Sequence, residues 1–170
     1  MEKPKGFADR IEMWMRKIPG VRTYMEREHR RETDKKLREL LASRLQESRS
    51  LSKKIALDLT TRGQMESLAK LDRFSSHLQQ MSDTIRYASY GYSGIFDLEK
   101  VREDELDRLY SFDLSLVEEL ERIQKSVEEI GPAGTPEARE KKIAEAENLV
   151  DSLERKFNQR KEFISLSPPK

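Results

Sequence analysis

The sequence predicts an all-α fold: a short amphipathic N-terminal helix followed by two antiparallel helical hairpins, together an elongated four-helix bundle or coiled-coil rod. Three observations carry that prediction. Apolar residues recur in steps of three and four over long segments, the period of one helix face. Glycine and proline fall at the borders of those segments rather than inside them. Charged residues make up 38% and hydrophobic residues 35% of the 170 positions. That balance suits thin helical bundles, which have more surface per residue than compact globules. The helical spacing argues against disorder as the reason for so much charge.

The first helix is expected from about Gly6 to Ile18. Phe7, Ile11, Trp14, Met15 and Ile18 fill one stripe of its wheel, with Arg10, Arg16 and Lys17 off it. Pro19 ends the helix by pushing the preceding residue out of the α region, and Gly20 permits a sharp turn.

A second helix is expected from about Val21 to Arg62. Residues 26–36 contain no apolar side chain; from Leu37 a stripe runs through Leu40, Leu41, Leu45, Leu51, Ile55 and Leu59. Ser48 and Ser52 interrupt it, allowing close approach but weakening the seam. At 1.5 Å per residue this helix would be roughly 60 Å long. Gly63 is the natural stop, because a glycine past the last turn takes the left-handed conformation.

The third helix, about Met65 to Tyr90, carries Leu71, Phe74, Leu78, Met81, Ile85 and Ala88 at alternating steps of three and four. That is an a/d heptad seam. The short link at residues 61–64 makes helices two and three antiparallel neighbours. Helix two outlasts helix three, so its charged first part must overhang or lie against something else.

Residues 86–97 form an elbow. Gly91 and Gly94 break the helix, and Tyr87, Tyr90, Tyr92 and Phe96 concentrate aromatic surface there. The fourth helix, about 103–130, keeps its seam through Leu106, Leu109, Asp113, Leu116, Leu120, Ile123, Val127 and Ile130, with Asp113 the polar member. Asp113 is expected to be half-exposed or paired with a base such as Arg160. Residues 131–136 read as a loop, with Thr135 as N-cap and Pro136 in the first helical position. The fifth helix, about 136–164, carries Ile143, Ala146, Val150, Leu153, Phe157 and Ile164. The whole reads as a single elongated helical domain over 1–164, with a disordered tail at 165–170.

The chain has no cysteine, which removes disulfides and thiolate chemistry. No apolar run approaches the ~20 residues of a membrane span. The N-terminus lacks the apolar core of a signal peptide, so a cytoplasmic location is expected. Net charge is +1, but it is unevenly spread. Residues 1–38 hold 12 Lys/Arg against 7 Asp/Glu, and residues 97–130 hold 5 against 12. The two segments can attract each other, over only ~8 Å at physiological salt.

Glu26 and His29 have the E-x-x-H spacing of di-iron bundles, but such a site needs two of these motifs and two further carboxylates. The other histidine, His77, has Phe74 rather than a carboxylate three residues before it. No metal or cofactor is therefore expected. There is no G-x-S-x-G, P-loop or G-x-G-x-x-G pattern, so neither catalysis nor a small-molecule substrate is expected. Arg27, Arg30, Arg31 and Lys35 form a basic patch on the overhang, as phosphate binding requires. Glu26, Glu28, Glu32 and Asp34 are interleaved with them, a spacing that favours salt bridges along the helix. Nucleic acid thus ranks low. The stripe of the first helix suits packing on the bundle, or an interfacial membrane contact. The elbow tyrosines suit either a structural plug or a recognition surface, since Tyr offers large contact area with few rotors.

Three stretches, Ile18-Pro-Gly20, Arg30-Arg-Glu-Thr-Asp-Lys35 and the Arg86 to Asp97 elbow, carry a resemblance. Over about residues 7–130 the chain resembles an uncharacterised family of bacterial α-helical proteins with the same order of short helix, long hairpin and Tyr-Gly elbow. The resemblance implies an association with membrane scaffolds of the stomatin (band 7) type and brings no catalytic residues. Val21 and Thr23 stand where the family pattern has more Tyr and Gly. The resulting expectation is a non-enzymatic interaction or scaffold protein, cytoplasmic or peripheral at the inner face of a membrane. A protein partner or self-association ranks first and a membrane surface second. The alternative is a nucleic-acid-associated coiled coil that uses the basic overhang.

Overall fold

The computed structural model describes residues 30–88 and 103–165, with side chains over 35–88, at 108 and over 111–160. Four helices form there: α1 (Arg30–Thr61), α2 (Leu68–Arg86), α3 (Glu103–Glu128) and α4 (Pro136–Ser165). Among the described residues there is no strand. These helices fall where the second to fifth were expected. The expected first helix and the tail beyond Ser165 lie outside the described residues.

The apolar seams explain why the helices associate. Leu37, Leu41, Leu45 and Leu59 of α1 join Leu71, Phe74, Leu78, Met81 and Ile85 of α2 in one core cluster. Leu116, Leu120, Ile123 and Val127 of α3 and Ile143, Ala146, Val150, Leu153 and Phe157 of α4 belong to the same cluster. Each such side chain larger than alanine contributes about 1.5–3 kcal/mol on full burial. The main packing contacts run in a ring: α1 on α2, α2 on α4, α4 on α3, and α3 back on α1. Helices α2 and α3, consecutive in the chain, therefore sit at diagonal corners of an all-helical bundle.

Cross-helix bonds fix how the helices align. Early α1 meets late α2: Arg38 Nη1 donates to the Arg86 carbonyl at 3.0 Å, and Gln46 Nε2 to Gln79 Oε1 at 3.0 Å. Early α3 meets late α4 in the same way, through Arg160 with Asp113 and Lys156 with Glu119. The turns of the two helix pairs lie together. Arg139 Nη2 donates to Gln64 Oε1 at 3.2 Å, Lys70 meets Glu140, and Gly131 lies beside Ile55.

The ends of the helices follow local chemistry. Gly63 takes φ +72°; its N–H bonds the Thr60 carbonyl at 3.0 Å, and the Gln64 N–H bonds the Leu59 carbonyl at 2.9 Å. This pair of bonds is a Schellman stop, open to glycine because no Cβ opposes the left-handed backbone. Thr135 Oγ1 accepts the Ala138 N–H at 3.2 Å, capping α4. Helix α2 is shorter than the expected 65–90. Residues 66 and 67 are still in a turn, and the helix closes at Arg86, where the Ala88 N–H tightens onto the Ile85 carbonyl at 3.4 Å. Helix α3 likewise closes at Glu128, and Ile130 bonds back to Val127 in a tightened turn while remaining buried.

Two seam expectations are refined. Ser48 and Ser52 are buried members of the α1 seam, whereas Leu40, Leu51 and Ile55 are only partly buried beside it. Ser75 of α2 is buried against Ser52, and Ser82 is buried against Ala42. Asp113 is not half-exposed: it is fully buried, and its pairing with Arg160 is bidentate.

Candidate functional site

The regular seams are consumed by packing, so the bundle's two ends and its outer faces are what it presents. At the end where α2 finishes and α3 begins, Arg38 holds the last carbonyl of α2. The free carbonyls of a helix C-terminus carry partial negative charge, which a guanidinium satisfies. Just past that point Ala88 packs on the core while Tyr87 stands 74% exposed. The elbow therefore begins with one side chain in solvent and the next anchored. Tyr90, Tyr92 and Phe96 lie outside the described residues.

The same end contains the Asp113–Arg160 pair. Arg160 Nε donates to Asp113 Oδ1 at 2.5 Å and Nη2 to Oδ2 at 3.0 Å, and both side chains are withdrawn from water. A buried bidentate pair fixes alignment more than it adds stability. A turn or two away, Glu119 is 3% exposed and takes Lys156 Nζ at 2.7 Å, with Arg122 at 3.7 Å.

At the turn end, Arg139 is buried between the two turns. Its Nη2 bonds Gln64 Oε1 and the Ala133 carbonyl, while Nε and Nη1 are buried without a partner. Outside it lies an open groove of about 640 Å³, lined in part by Lys125, Glu129, Pro132, Lys141 and Lys142. Lys142 Nζ bridges Glu129 at 2.8 Å and Glu145 at 3.0 Å. Its hydrogen bond holds the Glu129 carboxyl below the usual carboxylate range, and the two carboxylates hold the Lys142 ammonium above its ordinary value. These charges neutralise one another, leaving the groove a solvated, self-paired surface.

On a lateral face, His77 of α2 stands against Asp151 and Glu154 of α4, with candidate ligand atoms within 4.8 Å of one another. Along its own helix His77 has Phe74, not a carboxylate, three residues before it. The carboxylates come from the other helix pair, and the alignment between pairs has no sequence signature. Arg139 was missed for a different reason. It extends the α4 seam one step before Ile143, but a base at such a position reads as solvent-facing.

The remaining expected sites are placed as follows. Phe7, Ile11, Trp14, Met15, Ile18, Glu26, Arg27 and His29 lie outside the described residues. Arg30 and Arg31 open α1, and their side chains are not described. Lys35 is exposed and lies 3.9 Å from Glu39, one turn on. Among the described residues no helix is long and apolar enough to cross a membrane. No family model matches the chain, and neither a curated protein nor a solved structure matches it.

Proposed function

We propose that the chain is a non-enzymatic helical interaction protein, a scaffold or adaptor. Its bundle, two antiparallel hairpins set side by side, holds an aromatic elbow against a protein partner or a second copy of the chain. Tyr87 carries this reading. A phenol 74% exposed at the head of a Tyr- and Gly-rich segment offers contact area at low conformational cost. The resemblance to bacterial helical proteins associated with membrane scaffolds supports the same reading. It adds the first helix, with its Trp14 stripe, as a peripheral membrane contact on the cytoplasmic side.

Light scattering of the full chain over a concentration series, run with liposome co-sedimentation and pull-down, tests the proposal. The expected result is association that weakens when Tyr87, Tyr90 and Tyr92 are all replaced by Ser, with an unchanged helical spectrum. A protein that stays monomeric, captures no partner and does not sediment with liposomes overturns it.

A further inference from the structure

We propose that His77, Asp151 and Glu154 form a binding site for a divalent transition-metal ion of the Zn²⁺ class, which clasps α2 of one helix pair to α4 of the other. Asp151 and Glu154 are three apart on α4, so the helical repeat sets both carboxylates on one face. The ring packing of the bundle brings α2 alongside that face, and His77 meets it with its Nε2 3.8 Å from Asp151 Oδ1.

That distance is the informative one. It exceeds a hydrogen bond of about 2.7–3.2 Å. It is close to the roughly 3.4 Å that separates two donors held tetrahedrally on one zinc ion by bonds of about 2.0–2.1 Å. The imidazole is mostly enclosed, at 25% exposure, so packing orients it; Asp151, at 56%, is free to adjust its rotamer. Candidate ligand atoms at most 4.8 Å apart therefore need only carboxylate rotation to converge. Two like charges one turn apart repel, and a cation between them removes that repulsion.

The donor set selects the ion. One nitrogen and two carboxylates suit zinc and its neighbours, whereas magnesium and calcium prefer oxygen-only shells. Three protein ligands leave at least one position for water. An ion that binds only where α2 and α4 are apposed binds the folded state alone, and so stabilises it by mass action.

The test uses the full chain, stripped with chelator and titrated with ZnCl₂ by calorimetry, alongside thermal melts with and without the ion. The expected result is one Zn²⁺ per chain and a raised melting temperature. His77→Ala, Asp151→Asn and Glu154→Gln should each weaken binding at least about tenfold, the loss seen even for supporting outer-shell groups. His29→Ala should bind as the parent does. Asp151→Asn sits at an exposed position and reports even if His77→Ala folds poorly. No Zn²⁺ binding by the parent, parent-like binding by His77→Ala or Asp151→Asn, or Mg²⁺ binding as tight as Zn²⁺ would each overturn the proposal.

Discussion

The two helix pairs are held by different chemistry. Between α1 and α2 the fully buried polar contacts are small and uncharged: the Ser52 and Ser75 hydroxyls lie 3.0 Å apart, and Ser82 Oγ donates to the Ala42 carbonyl at 3.1 Å. Between α3 and α4 they are ion pairs, Asp113 with Arg160 and Glu119 with Lys156, followed just past α3 by the exposed Glu129 with Lys142. Serine and alanine on a seam let helix axes approach, since interaxial distance follows the side chains at the contact. Charged pairs instead penalise every alignment that leaves one of them buried and alone. The first pair is thus built for close packing, and the second for a single alignment.

The largest expected break is in the second pair. Asp113→Ala leaves the Arg160 guanidinium buried without its main partner and should cost about 3–5 kcal/mol in urea unfolding. Replacing both residues, with Asp113→Leu and Arg160→Met, should recover most of that loss. A double variant as unstable as the single one would show that the site, not the pairing, sets the cost.

Next come the turns. Gly63→Ala places a Cβ on a left-handed backbone and should cost about 1–2 kcal/mol. Gly131→Ala meets only the Ile55 side chain, at 3.6 Å, and should be neutral or stabilising by at most about 1 kcal/mol. Equal effects at the two turns would erase this part of the contrast.

Smaller still is the hydroxyl pair. In a double-mutant cycle, Ser52→Ala and Ser75→Ala should show a coupling of about 1 kcal/mol. Zero coupling would mean that size alone matters at that contact.

The smallest effect belongs to the surface pair at the groove. Glu129 has a lowered pKa in the folded chain. Its contribution is therefore present above the ordinary carboxylate range and is lost as pH falls through the lowered value. Glu129→Gln should flatten the acid limb of the stability curve slightly at low salt, and not detectably at high salt. A shift that survives high salt would assign the pair a structural role.

Most of the bundle was legible because helix periodicity is local. The 3-4 steps of α2, α3 and α4 pointed to Leu71 through Ile85, Leu116 through Val127 and Ile143 through Phe157, all buried. Gly63 was legible because its left-handed stop is a property of one residue type. The Asp113–Arg160 pair was legible as a polar break in each of two seams. Ser75, Ser82 and Ala42 were not, because a small residue beside a strong seam looks the same whether buried or exposed. The His77 face was not, because it depends on how two helix pairs settle against each other. No periodicity within either pair encodes that placement.

The turns of both helix pairs share one end of the bundle, which has a mechanical consequence. Residues 30, 88, 103 and 165 then all lie towards the opposite end. Tension applied there would peel the helices apart one turn at a time, rather than slide them past each other. Under such load the Arg38–Arg86 bond and the Asp113–Arg160 pair would be strained before the contacts between the turns.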